Sequence, residues 1–294
     1  MKKRLAAAIL LSAAAQVSAS TIYEQFDYPT GALGTVGAPT WTPTTAGTGD
    51  ISVISTDPSL QYTDANALYG TTIGTPAGND VSIPNAAAKS DRIATTGLPT
   101  GSGTLFYSLL MKVTNLTGVT TSGAFIAGFN NSAGTATTSI TQAGARLQIR
   151  KDAADGTKFN LGVRSDVSAS TGTSVIAWDT AQHAVGETVF VVGEYEFNQA
   201  SSTDDVSRMW INPDPSDLGA ASAPATTLTS TGGDVNQLQI QSFFLRSLSG
   251  GGTTTMDELR IDNSWAGVTT VPEPASLGLL TLGAMGLMRR RKNS

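Results

Sequence analysis

The 294-residue chain contains no cysteine, a single histidine (His183) and only 6% aromatic residues. Without cysteine there is no disulfide, no thiolate metal site and no cysteine nucleophile, so the folded part is held by its core alone. One histidine cannot build a multi-histidine zinc site. A Ser-His-Asp site would have to use His183, and no Gly-x-Ser-x-Gly elbow accompanies it. The residue sits in a polar stretch and reads as part of a surface loop. Basic residues are scarce in the middle of the chain. Of the 18 Lys and Arg, seven (Lys2, Lys3, Arg4, Arg289, Arg290, Arg291 and Lys292) stand at the two ends. The other 11 face all 23 acids between residues 20 and 274, a net of −12 there. A body of that sign repels nucleic acid and anionic membrane, since binding either depends on clustered cations. No nucleic-acid partner is expected.

What is present begins at the ends. Lys2, Lys3 and Arg4 precede an apolar stretch over residues 5–15, and Val17-Ser18-Ala19 then offers small side chains. Charge, apolar run and small residues in that order predict a secretory signal peptide over 1–19, cut by signal peptidase after Ala19. At the other end come Pro272-Glu273-Pro274, fourteen uncharged residues over 275–288, and the cluster Arg289, Arg290, Arg291 and Lys292. The prolines disfavour helix before them and leave the motif extended for a protease. A fourteen-residue helix is about 21 Å long against a hydrocarbon core of about 30 Å, a weak span that suits temporary holding. The basic cluster marks the cytoplasmic side.

This tail resembles the PEP-CTERM sorting domain: a Pro-Glu-Pro motif, a short Gly/Leu-rich hydrophobic helix and terminal arginines in fixed order. The resemblance covers about residues 271–294 and implies cleavage near the motif by an exosortase, a membrane-embedded enzyme of Gram-negative bacteria. It also implies a cell-surface or exopolysaccharide-matrix destination, as in a biofilm. An ordinary tail anchor is the alternative, and it has no need of Pro272, Glu273 and Pro274.

Between the ends, short β-rich runs alternate with Gly, Asn, Asp, Ser and Pro. They fall at 105–113, 124–129, 146–150, 159–164, 188–197, 206–211, 238–245 and 256–261. The runs at 146–150 and 159–164 flank a turn-rich linker and read as a hairpin. No window shows sustained helical periodicity, so the body is expected to be all-β, one antiparallel sandwich over 20–270. Residues 30–104 read as long loops and short edge strands, with a separate disordered segment as the competing reading. Residues 23–29 and 256–262 resemble the opening and closing strands of concanavalin A-like (laminin-G-like) jelly rolls. That resemblance implies that 22–27 lies beside 256–262, closing the sheet.

Few residues suggest chemistry. Alternation along 188–197 puts Glu194, Glu196 and Asn198 on one strand face with Phe190 and Val192, the arrangement by which glycosidases on concanavalin A-like folds place their carboxylates. Asn198 stands where the acid/base belongs, and an amide cannot donate and recover a proton, so the acids read as a solvated stripe. Laminin-G-like domains bind a structural calcium ion with loop oxygens, here Asp204 with Asp205 or Asp152 with Asp155. No Asp-x-Asp-x-Asp-Gly loop is present, and solvated turn acids are the competing reading. Trp178 and Trp210 either stack on sugar or fill core, and Trp210, in an apolar run, is expected to pack. The whole reads as an exported, non-enzymatic surface or matrix protein with polysaccharide as candidate ligand and no required cofactor. A polysaccharide hydrolase and a ligand-free coat protein are the alternatives.

Overall fold

The computed structural model describes residues 21–45, 47–55, 60–63, 72–73, 78–98, 101–165, 175–198, 200–201, 203–226, 228–235 and 240–270. The signal peptide with Ala19, and the tail with Pro272, Glu273, Pro274 and Arg289 to Lys292, lie outside the described residues. Among the described residues no helix is long and apolar enough to cross a membrane.

The elements in chain order are short at first. They run β1 (Ile22–Glu24), β2 (Gly31–Ala32), the one-turn α1 (Leu33–Val36), β3 (Trp41–Pro43), β4 (Ser52–Ile54), β5 (Tyr62–Thr63), β6 (Thr72–Ile73), β7 (Asp80–Ile83) and β8 (Lys89–Ala94). Longer strands follow: β9 (Gly103–Asn115), β10 (Ala124–Asn130), β11 (Ala143–Lys151), β12 (Lys158–Arg164), β13 (Ala177–Trp178), β14 (His183–Ala184), β15 (Thr188–Phe197) and β16 (Val206–Ile211). The last are β17 (Leu228–Ser230), β18 (Ser242–Ser247), β19 (Thr253–Asp262) and α2 (Trp265–Thr269).

Two antiparallel sheets form a sandwich. Sheet A runs β17-β16-β15-β9-β19-β7-β4-β2, with β1 also on β19. Sheet B runs β13-β12-β11-β10-β18-β8-β3, with β14 also on β12, and β5 and β6 form a separate pair. Because side chains alternate along a strand, each sheet has an inner and an outer face. The inner faces make one core: Leu105, Leu109 and Val191 of sheet A meet Leu147, Phe159 and Phe243 of sheet B. Tyr107 reaches across the layers and donates from its hydroxyl to the Ala145 carbonyl at 3.0 Å.

The all-β sandwich agrees with the sequence reading. Ile22, Tyr23 and Glu24 pair with Ile261, Arg260 and Leu259, so the first strand lies beside the last as expected. The 146–164 hairpin also forms, with Ile149 opposite Leu161. Residues 30–104 require a correction. Asp80–Ile83 sits inside sheet A between β19 and β4, and Lys89–Ala94 sits inside sheet B between β18 and β3. Each of these four- and six-residue strands is held on one side by a partner more than 140 residues away, which no local pattern reveals.

Candidate functional site

The outer face of sheet A is sealed. Phe106, Leu110, Phe190, Val192 and Trp210 form a second apolar cluster closed by Trp265 and Val268 of α2. Ser264 caps α2, its hydroxyl accepting from the Gly267 N–H at 3.1 Å. The Trp265 ring packs edge-on against Trp210, centroids 5.0 Å apart, and its Nε1 donates to the Asp217 carbonyl at 2.7 Å. Trp210 therefore packs, as its apolar run predicted, and donates to the Pro224 carbonyl.

Glu194 and Glu196 continue this face beyond the apolar cluster, but they are not a solvated stripe. Arg208 stands directly across from Glu194 on β16. Its Nη1 lies 3.0 Å from Glu194 Oε1 and 2.7 Å from Glu196 Oε2. Burial pushes the Glu194 carboxyl up, and the Arg208 guanidinium opposes the shift. Asn198 does not join them: β15 ends at Phe197, and Asn198 donates into the following turn, from its N–H to Asp205 Oδ1 and from Nδ2 to the Asp204 carbonyl. The three residues never form a catalytic row. Further along the same outer face, burial and the neighbouring carboxylates of Asp80 and Glu258 push Asp257 up to about 9.

His183 also departs from the surface-loop reading. It is buried on β14, with Nε2 2.8 Å from Asp179 Oδ2 and Nδ1 3.2 Å from Glu187 Oε1, and its ring lies over Phe159. Burial alone lowers its pKa, and the hydrogen bonds and charges of the two carboxylates outweigh that and raise it. The local signal was an acid four residues to either side. His183, Asp179 and Trp178 border a cleft of about 370 Å³ at the sandwich edge. The other polar candidates divide. Asp204 and Asp205 come together with Asp234, one carboxylate oxygen of each within 4.8 Å of the others. Asp205 already accepts from the Tyr195 hydroxyl and the Asn198 N–H. Asp152 and Asp155 do not converge on a cation: each takes backbone N–H groups of its own turn.

The outer face of sheet B is different in kind. Alternation against Leu147 and Ile149 turns Arg146, Gln148 and Arg150 outward, and alternation against Phe243 and Leu245 does the same for Phe244 and Arg246. Pairing lines them up across strands: Phe125 opposes Gln148, Gln148 opposes Gly162, and Gly162 opposes Trp178. Gly162 is required, because a Cβ there would lie 2.6 Å from the indole. Two guanidinium groups flank the Phe125 ring, Arg246 at 4.1 Å and Arg146 at 5.0 Å, and Arg150 lies over Trp178 at 4.6 Å. Arg92 is fully buried beside Phe244 and donates to the Ala136 and Thr138 carbonyls of the neighbouring loop.

The electrostatics of this face are unbalanced. Among the described residues, none of Arg92, Arg150 and Arg246 is in an ion pair. The buried Nη1 of Arg246 and Nε of Arg92 lack a hydrogen-bond partner. Burial pushes both guanidinium groups below their ordinary pKa. A buried cation without a counter-charge is costly. The planar guanidinium fork matches a carboxylate, and the half-exposed Phe125 and Trp178 supply apolar surface beside it. Sequence reading marked 146–150 and 238–245 only as strands. The missed signal was the alternation of arginine, amide or aromatic residues with apolar ones in Arg146-Leu147-Gln148-Ile149-Arg150 and in Phe244-Leu245-Arg246.

Comparison with known proteins bears on the C-terminal end. Residues 270–292 match the model of the PEP-CTERM protein-sorting motif. No curated protein matches the chain. Among solved structures, the endo-β-1,4-glucuronan lyase from the fungus Trichoderma reesei is 12% identical, over 84% of this chain and 97% of that one, with TM-score 0.48. An alginate lyase is 13% identical over 83% and 96%, with TM-score 0.43. The Emp46p carbohydrate recognition domain is 9% identical over 79% and 91%, with TM-score 0.36. The C-terminal region is thus a PEP-CTERM sorting motif, and the class it defines is exported proteins processed at the membrane by exosortase-type machinery. In this chain the motif follows directly on a β-sandwich that ends at α2.

Proposed function

We propose that the mature protein is a non-enzymatic surface or extracellular-matrix component that binds an acidic polysaccharide along the outer face of sheet B. Signal peptidase removes residues 1–19 after Ala19. The tail then holds the chain at the inner membrane until an exosortase-type protease cuts near Pro272-Glu273-Pro274. The observation that carries the binding reading is Arg246. Its guanidinium is stacked on Phe125 and, among the described residues, has a buried unpartnered nitrogen and no carboxylate in contact, in a body that bears 23 acids. Two of those acids are held by Arg208 on the opposite side of the sandwich. A uronate carboxylate supplies what the face lacks. Its sugar ring can lie on Trp178 or Phe125. Arg150 beside Trp178 and Arg246 beside Phe125 are partly exposed on the same face, an arrangement that lets one polymer meet both.

Binding without turnover is supported by the side chains on this face. Arginine, amide and aromatic groups do not exchange protons near neutral pH, which general acid–base catalysis requires. The reading needs no cofactor. Retention of the full chain, solubilised in detergent, on immobilised polyglucuronate tests it. Wild type is expected to be retained at low salt and released as salt rises, with neutral glucan retaining none. Arg150→Ala with Arg246→Ala is expected to lower affinity at least tenfold, since hydrogen bonds to charged groups contribute about 1.5–3 kcal/mol each. Equal retention of the double variant would overturn the assignment of this face.

A further inference from the structure

The two outer faces also differ in where the chain leaves the fold. Helix α2 is pinned to the outer face of sheet A up to its last residue. The Ser108 hydroxyl donates to the Val268 carbonyl at 2.6 Å, the Gly219 N–H donates to Thr269 Oγ1 at 3.0 Å, and Arg260 donates to the Thr270 carbonyl. Arg260 alternates with the core residues Leu259 and Ile261, so its side chain is on that outer face. The sorting motif begins at this point, residue 270. From Thr270 to the first residue of the apolar stretch, Ala275, five residues reach at most about 17 Å when fully extended. A compact body of about 250 residues has a radius of gyration of about 18 Å and a width more than twice that. The tether is therefore too short to pass around the sandwich.

We infer that the sandwich, while membrane-held, is oriented with the outer face of sheet A toward the bilayer and the arginine face of sheet B away from it. The precursor then binds acidic polysaccharide before sorting cleavage, and cleavage decides where the protein resides without switching binding on. This inference rests on the function proposed above for sheet B. Its own content is orientation, which arises from α2 and the tether length.

The chain has no cysteine, so a single introduced thiol reports its own position. The full chain with Pro272, Glu273 and Pro274 changed to Ala, expected to stay uncut and membrane-held, is displayed on spheroplasts of its host and compared with the same protein in detergent. Arg150→Cys marks the sheet B face, and Ala221→Cys marks the exposed loop beside α2. With a bulky maleimide, Ala221→Cys is expected to react several-fold more slowly on spheroplasts than in detergent, and Arg150→Cys at the same rate in both. Without either cysteine, fluorescent polyglucuronate is expected to bind equally in the two settings. Slower labelling of Arg150→Cys on spheroplasts, or binding in detergent that is lost on spheroplasts, would overturn the orientation. Absent binding in both settings with the expected labelling pattern would sink the polysaccharide reading and leave the orientation standing.

Discussion

The two outer faces of this sandwich arise from the same alternation of side chains and end in opposite states. On sheet A the outward residues Phe106, Phe190 and Trp210 are covered by Trp265, and the nearby acids Glu194 and Glu196 are bridged by Arg208. The apolar demand of that face is met within the chain, and its remaining orphan is the Asp257 carboxyl, whose buried Oδ2 has no partner among the described residues. On sheet B the outward residues are guanidinium, amide and aromatic groups, and Arg92, Arg150 and Arg246 have no acid in contact among the described residues. Buried polar groups are ordinarily satisfied. An unmet demand is where function is expected, and the cationic orphans on sheet B are the ground for proposing the binding surface there.

The comparison breaks most visibly at Trp265. Trp265→Ala removes the seal and is expected to cost about 3–5 kcal/mol, as large-to-small core substitutions do, measured by urea denaturation. Polysaccharide affinity of the fraction that stays folded should not change. A coupled loss of affinity would mean that the faces are not independent.

A second effect sharpens the account of sheet A. Asp257, pushed up to about 9, holds a proton in the native state and none when unfolded above about pH 4. The native state then binds more protons, so stability falls as pH rises from about 4 to 9. Asp257→Asn is expected to raise the melting temperature, more at pH 8 than at pH 5. An equal shift at both pH values would show that the carboxyl is ionised in the fold. His183 runs in the same direction: its raised pKa stabilises the fold below the ordinary imidazole value, and the contribution fades as pH rises through the folded value.

The smallest expected effect is none. Glu194→Gln should leave polysaccharide binding unchanged, because the residue faces α2's side of the molecule and touches Arg208. Cleavage of a β-glucan by wild type and its abolition by this substitution would reverse the non-enzymatic reading.

How much of this was legible in the sequence follows from the range of the forces. Strands β15 and β16 could be read directly, since ten and six residues alternate against one core. The closing pair β1 and β19 was foreseen by resemblance rather than by pattern. Strands β7 and β8 escaped because each is short and is paired on one side with a strand far off in sequence. The proposed binding face was only half readable. The alternation of Arg146, Gln148 and Arg150 with apolar residues is local, but a solvated edge would show the same pattern. Its meaning appears when pairing brings Arg246 over Phe125, 121 residues away. His183 was misjudged because polar neighbours suggested exposure, whereas Asp179 and Glu187 fold back to enclose it.

The central claim is that the arginine face of sheet B holds an acidic polymer without cutting it. The most direct measurement incubates the full chain with defined oligoglucuronates and reads complex and product lengths by mass spectrometry. The account predicts a complex of intact oligomer that disappears when Arg150 and Arg246 are both changed to Ala. Shortened oligomers, or an intact complex that survives both substitutions, would contradict it.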